Sequence, residues 1–136
     1  MEQAKGYEKK LIQLKQALNT FEKSINIDIS TFSDIEQDTI RSGQVQKFEV
    51  SVELFWKTGK KFLYEVHGVE AISPKMVIKE FSLTKYTNEK HFEALIEMIN
   101  DRNRLSHVYN EEQFNEIYFR LTEYLVLMNG IVKKIG

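Results

Sequence analysis

Near the start of the chain, apolar residues fall at Tyr7, Leu11, Leu14, Leu18, Phe21 and Ile25, in alternating steps of four and three. That spacing keeps one stripe on one side of an α-helix and predicts a helix over roughly residues 4–26. Asn26 to Thr31 mix β-branched and short polar side chains, which compete with helical backbone bonding. Ser33 or Asp34 can then cap a second helix. Its apolar positions are Ile40, Val45, Phe48, Val52, Phe55, Trp56, Phe62, Leu63 and Val66, and Gly68 after His67 supplies a stop, so helix is expected over residues 34–67. Gly43 and Gly59 are tolerated weak points inside it. About 30 residues of helix reach some 45 Å, more than a domain of this size needs, so either the helix bends or a partner subunit covers part of it.

Ser73-Pro74 has the form of an N-cap followed by proline at the first helical position, and opens a short helix to about Leu83. Thr87 or Asn88 opens the next, with Phe92, Leu95, Ile96 and Ile99 facing inward. Asn110, with Gln113 three residues on, caps a last helix whose stripe is Phe114, Ile117, Tyr118, Leu121, Leu125 and Met128. No segment carries the two-residue alternation of a half-buried strand, and no repeat or linker divides the chain. The pattern predicts an all-α, up-and-down antiparallel helical bundle, four main helices plus a short one, in one domain over residues 1–136.

Composition supports that picture and narrows the chemistry. A chain of 136 residues hides about two thirds of its unfolded surface, enough for a core without metal or disulfide staples. It is 42% hydrophobic and 29% charged, which argues against disorder. One proline and six glycines leave few break points, favouring long helices over a many-turned β fold. The absence of cysteine removes disulfides, zinc fingers, iron–sulfur sites and thiol nucleophiles together. A net charge of −1 excludes a globally basic nucleic-acid binder and leaves room for a local basic site. The first ten residues are charged where a signal peptide needs an apolar core, and no apolar stretch approaches the roughly 18 residues of a membrane span. The expectation is a cytoplasmic protein with no membrane partner.

The residues able to carry chemistry gather between the fourth and fifth helices, in Asp101-Arg102-Asn103-Arg104-Leu105-Ser106-His107-Val108-Tyr109-Asn110. On an ideal helix Arg102 and Tyr109 lie about 20° from eclipsed, whereas His107 stands about 140° from Arg102. Arg102 and His107 share a target only if the helix distorts around Ser106, or if they meet at an interface or a helix end. Asn103 and Ser106 are residue types that permit such a break. On residue types alone, this junction reads more readily as structural than as a site. On the second helix Glu49, Glu53 and Lys57 share a stripe at intervals of four. They form either a surface ladder of ion pairs or a set in which Glu53, among Leu54, Phe55 and Trp56, buttresses Arg102 or His107. Trp56 itself is expected in the core or a subunit interface. His67 and His91 do not pair at metal-ligand spacing, so no metal and no cofactor is expected.

Arg102, His107 and Tyr109 form the pattern Arg-x4-His-x-Tyr, and Gln46-Lys47-Phe48-Glu49-Val50-Ser51-Val52-Glu53-Leu54-Phe55-Trp56-Lys57 forms a second block. With Ser73-Pro74-Lys75, Met98 ahead of Asp101-Arg102-Asn103, and Ser106-His107-Val108-Tyr109, they resemble the HEPN superfamily. The resemblance is to its branch of HepT-like nucleotidyltransferase substrate-binding proteins, and it covers roughly residues 10–130. Two positions depart from that pattern. Ser42 follows Arg41 where the family has an Arg-Asp pair, and Phe92 stands where tryptophan is common. The resemblance implies an all-α homodimer working beside a nucleotidyltransferase of the MNT type, in a toxin–antitoxin module. There, a metal-independent endoribonuclease is neutralised by AMP transfer to the motif tyrosine, here Tyr109. For other members it implies a non-catalytic subunit that binds nucleotide or another substrate for the nucleotidyltransferase.

Under that resemblance the residue types suit RNA cleavage. Histidine exchanges protons near neutral pH, which fits His107 for general acid or base work. Arg102 stays charged and can hold two phosphate oxygens as a fork. Arg104 offers a further phosphate contact or a solvated surface charge. Ser106 hydrogen-bonds substrate or serves the turn, and Asp101 and Asn103 orient Arg102 or His107 or cap helices. Glu49 and Glu53 stand in support, and a dimer would bring two motifs to a shared cleft. The preferred expectation is HepT-like cleavage of RNA through Arg102 and His107. The alternative is the substrate-binding subunit, and a third reading is a helical interaction module whose polar motif is structural.

Overall fold

In the computed structural model, which describes residues 6–107 and 110–136, the chain winds into six α-helices and one 3-10 turn. They follow in the order α1 (Gly6–Ile25), α2 (Asp34–His67), α3 (Pro74–Leu83), α4 (Glu89–Arg104), the 3-10 turn Leu105–His107, α5 (Glu111–Tyr118) and α6 (Leu121–Ile135). No strand occurs among the described residues. No helix among them is long and apolar enough to cross a membrane.

The first two helices form an antiparallel hairpin. The Gln44 amide donates to the Ser24 carbonyl at 2.7 Å at one end, and the Tyr7 backbone N–H meets Glu65 at 3.4 Å at the other. Leu11, Leu14, Leu18 and Phe21 bury the expected stripe of α1. Both ends of α2 are specified locally. Ser33 and Glu36 make a reciprocal capping box, which satisfies two N–H groups that a helix start leaves without partners. At the other end Gly68 takes the left-handed conformation, φ 66°, and donates to the Tyr64 carbonyl while Val69 donates to that of Leu63. A side chain at that φ would be strained, so glycine ends the helix there. Ser73 caps α3 and Asn88 caps α4, as their spacing predicts.

The core is a run of aromatic and aliphatic side chains down the middle of α2. Phe48 stands 5.6 Å from Tyr124 of α6 and 6.1 Å from Phe21 of α1, centroid to centroid. Further along, Phe55 and Phe62 meet Phe81 of α3. Gly59 has a structural reason. A Cβ there would stand 2.8 Å from Phe81 Cζ and Val77 Cγ1, so its bare backbone lets α3 lie close against α2. Val66, the last of the apolar positions read along this helix, is 42% exposed.

Two expectations change. The single last helix is two: Arg120 N–H bonds to the Ile117 carbonyl at 2.9 Å, a tighter turn than the α repeat, and α6 begins at Leu121. The pivot sends the Arg120 guanidinium to Asp101 on α4 and leaves Phe119 79% exposed. The stripe survives it, with Ile117, Leu121, Leu125 and Met128 buried. Among the described residues the expected helical bundle thus stands, with its last helix divided into α5 and α6. The long α2 runs unbroken for 34 residues, about 51 Å at 1.5 Å per residue. Its buried positions begin only at Gln44, so its first ten residues extend past the core, with Ile35 71% exposed.

Candidate functional site

The polar junction is built around Asp101, whose side chain has no exposed surface. Arg120 grips it as a fork, Nε to Oδ2 at 2.7 Å and Nη2 to Oδ1 at 3.0 Å. Arg104 Nη1 donates to Oδ1 at 2.7 Å, and the Tyr124 hydroxyl donates to Oδ2. Burial by itself would raise the Asp101 carboxyl. The hydrogen bonds from Arg120, Tyr124 and Arg104 outweigh it and hold the group below the ordinary aspartate value. Burial pushes the Tyr124 phenol up, and the bond to Asp101 pushes it further. The carboxylate thus fastens the end of α4 to the α5–α6 corner. Asp101 spends its four bonds on Arg120, Arg104 and Tyr124, not on orienting Arg102 or His107.

After Arg104 the chain tightens into the 3-10 turn Leu105–His107, so the helix does distort before His107. That turn and α5 border a groove of about 470 Å³ lined, among the described residues, by Asn103, Arg104, His107, Gln113, Glu116, Ile117 and Arg120. His107 is exposed. Arg104 also pairs with Glu97, an additional hydrogen bond that favours its charged form. Arg104 uses only Nη1 in its ion pairs, and Arg120 only Nε and Nη2. Each guanidinium has five N–H donors, so both keep donors for an anion in the groove.

Arg102 turns elsewhere. Its Nη2 lies 2.7 Å from Glu53 Oε2 on α2, the same oxygen that accepts the Trp56 indole N–H at 3.1 Å, while Lys57 Nζ stands 3.0 Å from Oε1. Burial would raise Glu53, but the bonds from Lys57 and Trp56 and the charge of Arg102 lower it overall. Glu49, one turn back, is raised by burial, with Arg102 pulling the other way. Of the two carboxylates of the α2 stripe, Glu53 pairs with Arg102 and Glu49 lies near enough to feel its charge. The Arg102 and Glu53 side chains are 36% and 33% exposed, so the pair contributes at most about 1 kcal/mol and mainly fixes direction.

The structure thus brings His107 together with Arg104 and Asn103, and Arg102 together with Glu53 and Glu49; Arg102 is not among the residues of the groove. Ser106 is exposed on the turn. Tyr109, with Val108, lies outside the described residues. Arg120, Gln113 and Glu116 also line the groove and were not read as site residues in the sequence, where Gln113 figured only in the cap of the last helix. For Arg120 a signal existed: it stands three residues after Ile117 and four before Tyr124, on the inner side of the stripe, and an inward arginine needs a carboxylate. His67 bonds the Tyr86 hydroxyl at 2.8 Å, away from the junction. Among the described residues no three His, Asp or Glu side chains gather as a metal would require.

Solved structures share this architecture. A crystal structure of a protein from Thermus thermophilus superposes with a TM-score of 0.80 at 28% identity, over 90% of this chain and 98% of that one. HI0074 from Haemophilus influenzae, whose structure is described as revealing the fold of a substrate binding domain of a nucleotidyltransferase, superposes with a TM-score of 0.77. It is 21% identical, over 92% of this chain and 98% of its own. No curated protein matches the chain by sequence. The family model "Nucleotidyltransferase substrate binding protein like" matches residues 4–135, and the chain belongs to that family.

Proposed function

We propose that this chain is the substrate-binding subunit of a two-component nucleotidyltransferase system, and that it holds a phosphate-bearing substrate in the His107 groove. The observation that carries this reading is the pairing of Arg104 and Arg120 across that groove. Both are anchored by one buried carboxylate and both retain N–H donors. Anchored guanidinium groups lose little freedom on meeting a phosphate, so more of each charge-assisted bond appears as affinity. His107 and Asn103 at the rim add a proton-exchanging group and an amide that can read the rest of the ligand. The family supports a nucleotidyltransferase as partner.

A second reading, metal-independent RNA cleavage with control by AMP transfer to Tyr109, draws on the HEPN resemblance and on the exposed His107 beside two arginines. In one copy, Glu53 holds Arg102 on the α2 side of the junction, so this reading needs a different cation, Arg104 or Arg120, at the phosphate. Within this proposal two copies associate through surface left uncovered at the start of α2, where Ile35 is exposed.

Calorimetric titration with ATP in EDTA tests the reading. Saturable binding is expected, weakened roughly 10- to 100-fold by Arg104→Ala, as for loss of a hydrogen bond to a charged group. Arg104 is half exposed, so the variant keeps its fold. Equal affinity in both proteins would contradict the groove as the site. RNA cut in the same buffer, with cleavage lost in His107→Ala, would favour the second reading.

A further inference from the structure

A second groove, of about 660 Å³, runs along the other end of α2. Lys10 of α1 and Lys57, Lys60 and Lys61 of α2 line it, with the aromatic side chains of Trp56 and Tyr64. Val69, Ala71 and Ile72 complete its apolar wall, and Glu70 is its one carboxylate. Four ammonium groups against one carboxylate, in a chain whose net charge is −1, make this a local concentration of positive charge. Lys57 pairs with Glu53, while Lys10, Lys60 and Lys61 form no ion pair with a carboxylate among the described residues. Tyr64 and Ile72 are 59% and 73% exposed, so apolar and aromatic surface is presented beside the charges rather than buried under them.

We infer that this groove binds a short segment of single-stranded nucleic acid, its bases against Trp56 and Tyr64 and its phosphates along the lysines. Trp56, Lys60 and Tyr64 follow at intervals of four on α2, so the two aromatic side chains stand about 12 Å apart along the helix with cations between and beside them. Charges spread along a line suit a polymer that carries one charge per unit. A lone polyphosphate would call for converging donors, such as a glycine-rich loop or an arginine fork, and the groove has neither. Trp56 is partly buried and Tyr64 exposed; aromatic side chains along a groove suit unpaired bases, which a duplex does not present. An acidic protein segment would use the charges but leave the aromatic spacing without purpose. This inference goes beyond the substrate-binding reading and stands on different residues. The two grooves are separate and share no lining residue among those described.

The chain carries a single tryptophan, and it lines this groove, so stacking can be read directly from its fluorescence. Titration with a short oligouridylate is expected to quench Trp56 saturably, with affinity falling steeply as salt rises. In the double variant Lys60→Ala, Lys61→Ala, both at exposed positions, the log–log salt slope should flatten by about 1.4, at roughly 0.7 for each phosphate of a single strand that is no longer neutralised. Tyr64→Ala should weaken binding by roughly 5- to 100-fold, the range for one stacked base. Unchanged thermal melts of the variants separate lost binding from lost fold. Absence of quenching would overturn the inference. So would equal quenching by ATP alone, by a duplex of the same length or by polyglutamate, each of which assigns the groove to another ligand.

Discussion

A carboxylate with no exposed surface persists as an anion only where its charge is matched, and Asp101 is matched through both oxygens by Arg120, with Arg104 and Tyr124 completing its bonds. Removing it leaves the buried Tyr124 phenol without its acceptor, while the Arg120 and Arg104 guanidinium groups, 36% and 53% exposed, can turn to water. Asp101→Ala should therefore cost about 1–3 kcal/mol, the usual result of leaving a buried polar group without its partner. The pH dependence has a definite sign. The folded carboxyl titrates below its ordinary value, so its contribution is fully present above the unfolded value of about 4 and is lost as pH falls through the folded one. Urea unfolding of wild type and Asp101→Asn should differ most at neutral pH and converge as pH drops below about 4. A gap that stays constant from neutral pH downward would mean that Asp101 is not the titrating fastener. Because the same carboxylate holds Arg104 and Arg120, its loss should also weaken anion binding at the His107 groove.

Two glycines of α2 separate packing from propensity at the scale of the helix. Nothing stands within 4 Å of a Cβ at Gly43, so Gly43→Ala should stabilise by roughly 0.5–1 kcal/mol through helix propensity alone. At Gly59 the same gain is opposed by the close approach of Phe81 and Val77, whose buried side chains have nowhere to retreat. Overpacking of that kind costs about 1–3 kcal/mol, so Gly59→Ala should lower the melting temperature, by roughly 3–5 °C for each kcal/mol of net loss. Shifts of the same sign in both variants would contradict the close packing of α3 on α2. Helix boundaries were legible in the sequence because local chemistry sets them: Ser33, Gly68, Ser73, Asn88 and Asn110 each mark an end where expected. The break between α5 and α6 was not, because it has no glycine or proline. It is set by a long-range partner, Asp101 reaching for Arg120 across 19 residues. The same limit applies to the junction. Four-residue spacing put Glu49 and Glu53 on a shared face, with Arg102 or His107 as the residue Glu53 would buttress, and the structure pairs Glu53 with Arg102. No spacing rule could reveal that the α5–α6 corner carries Arg120 to Arg104 and His107.

For the whole molecule, a net charge of −1 conceals two separate basic features, one of guanidinium groups around His107 and one of ammonium groups around Trp56. Both depend on α2 or on what packs against it: Glu53 directs Arg102, Phe48 seats Tyr124 beneath Asp101, and Trp56 to Tyr64 form one wall of the lysine groove. The long helix is thus a common frame for both features, and its first turns extend past the core. Histidine gives the most direct view of the central claim, because the chain has only three, and His67 and His91 lie elsewhere. Nuclear magnetic resonance of the imidazole signals during an ATP titration should show His107 moving saturably while His67 and His91 stay in place. A His107 signal that does not respond, or three signals that move together, would contradict the assignment of the substrate groove.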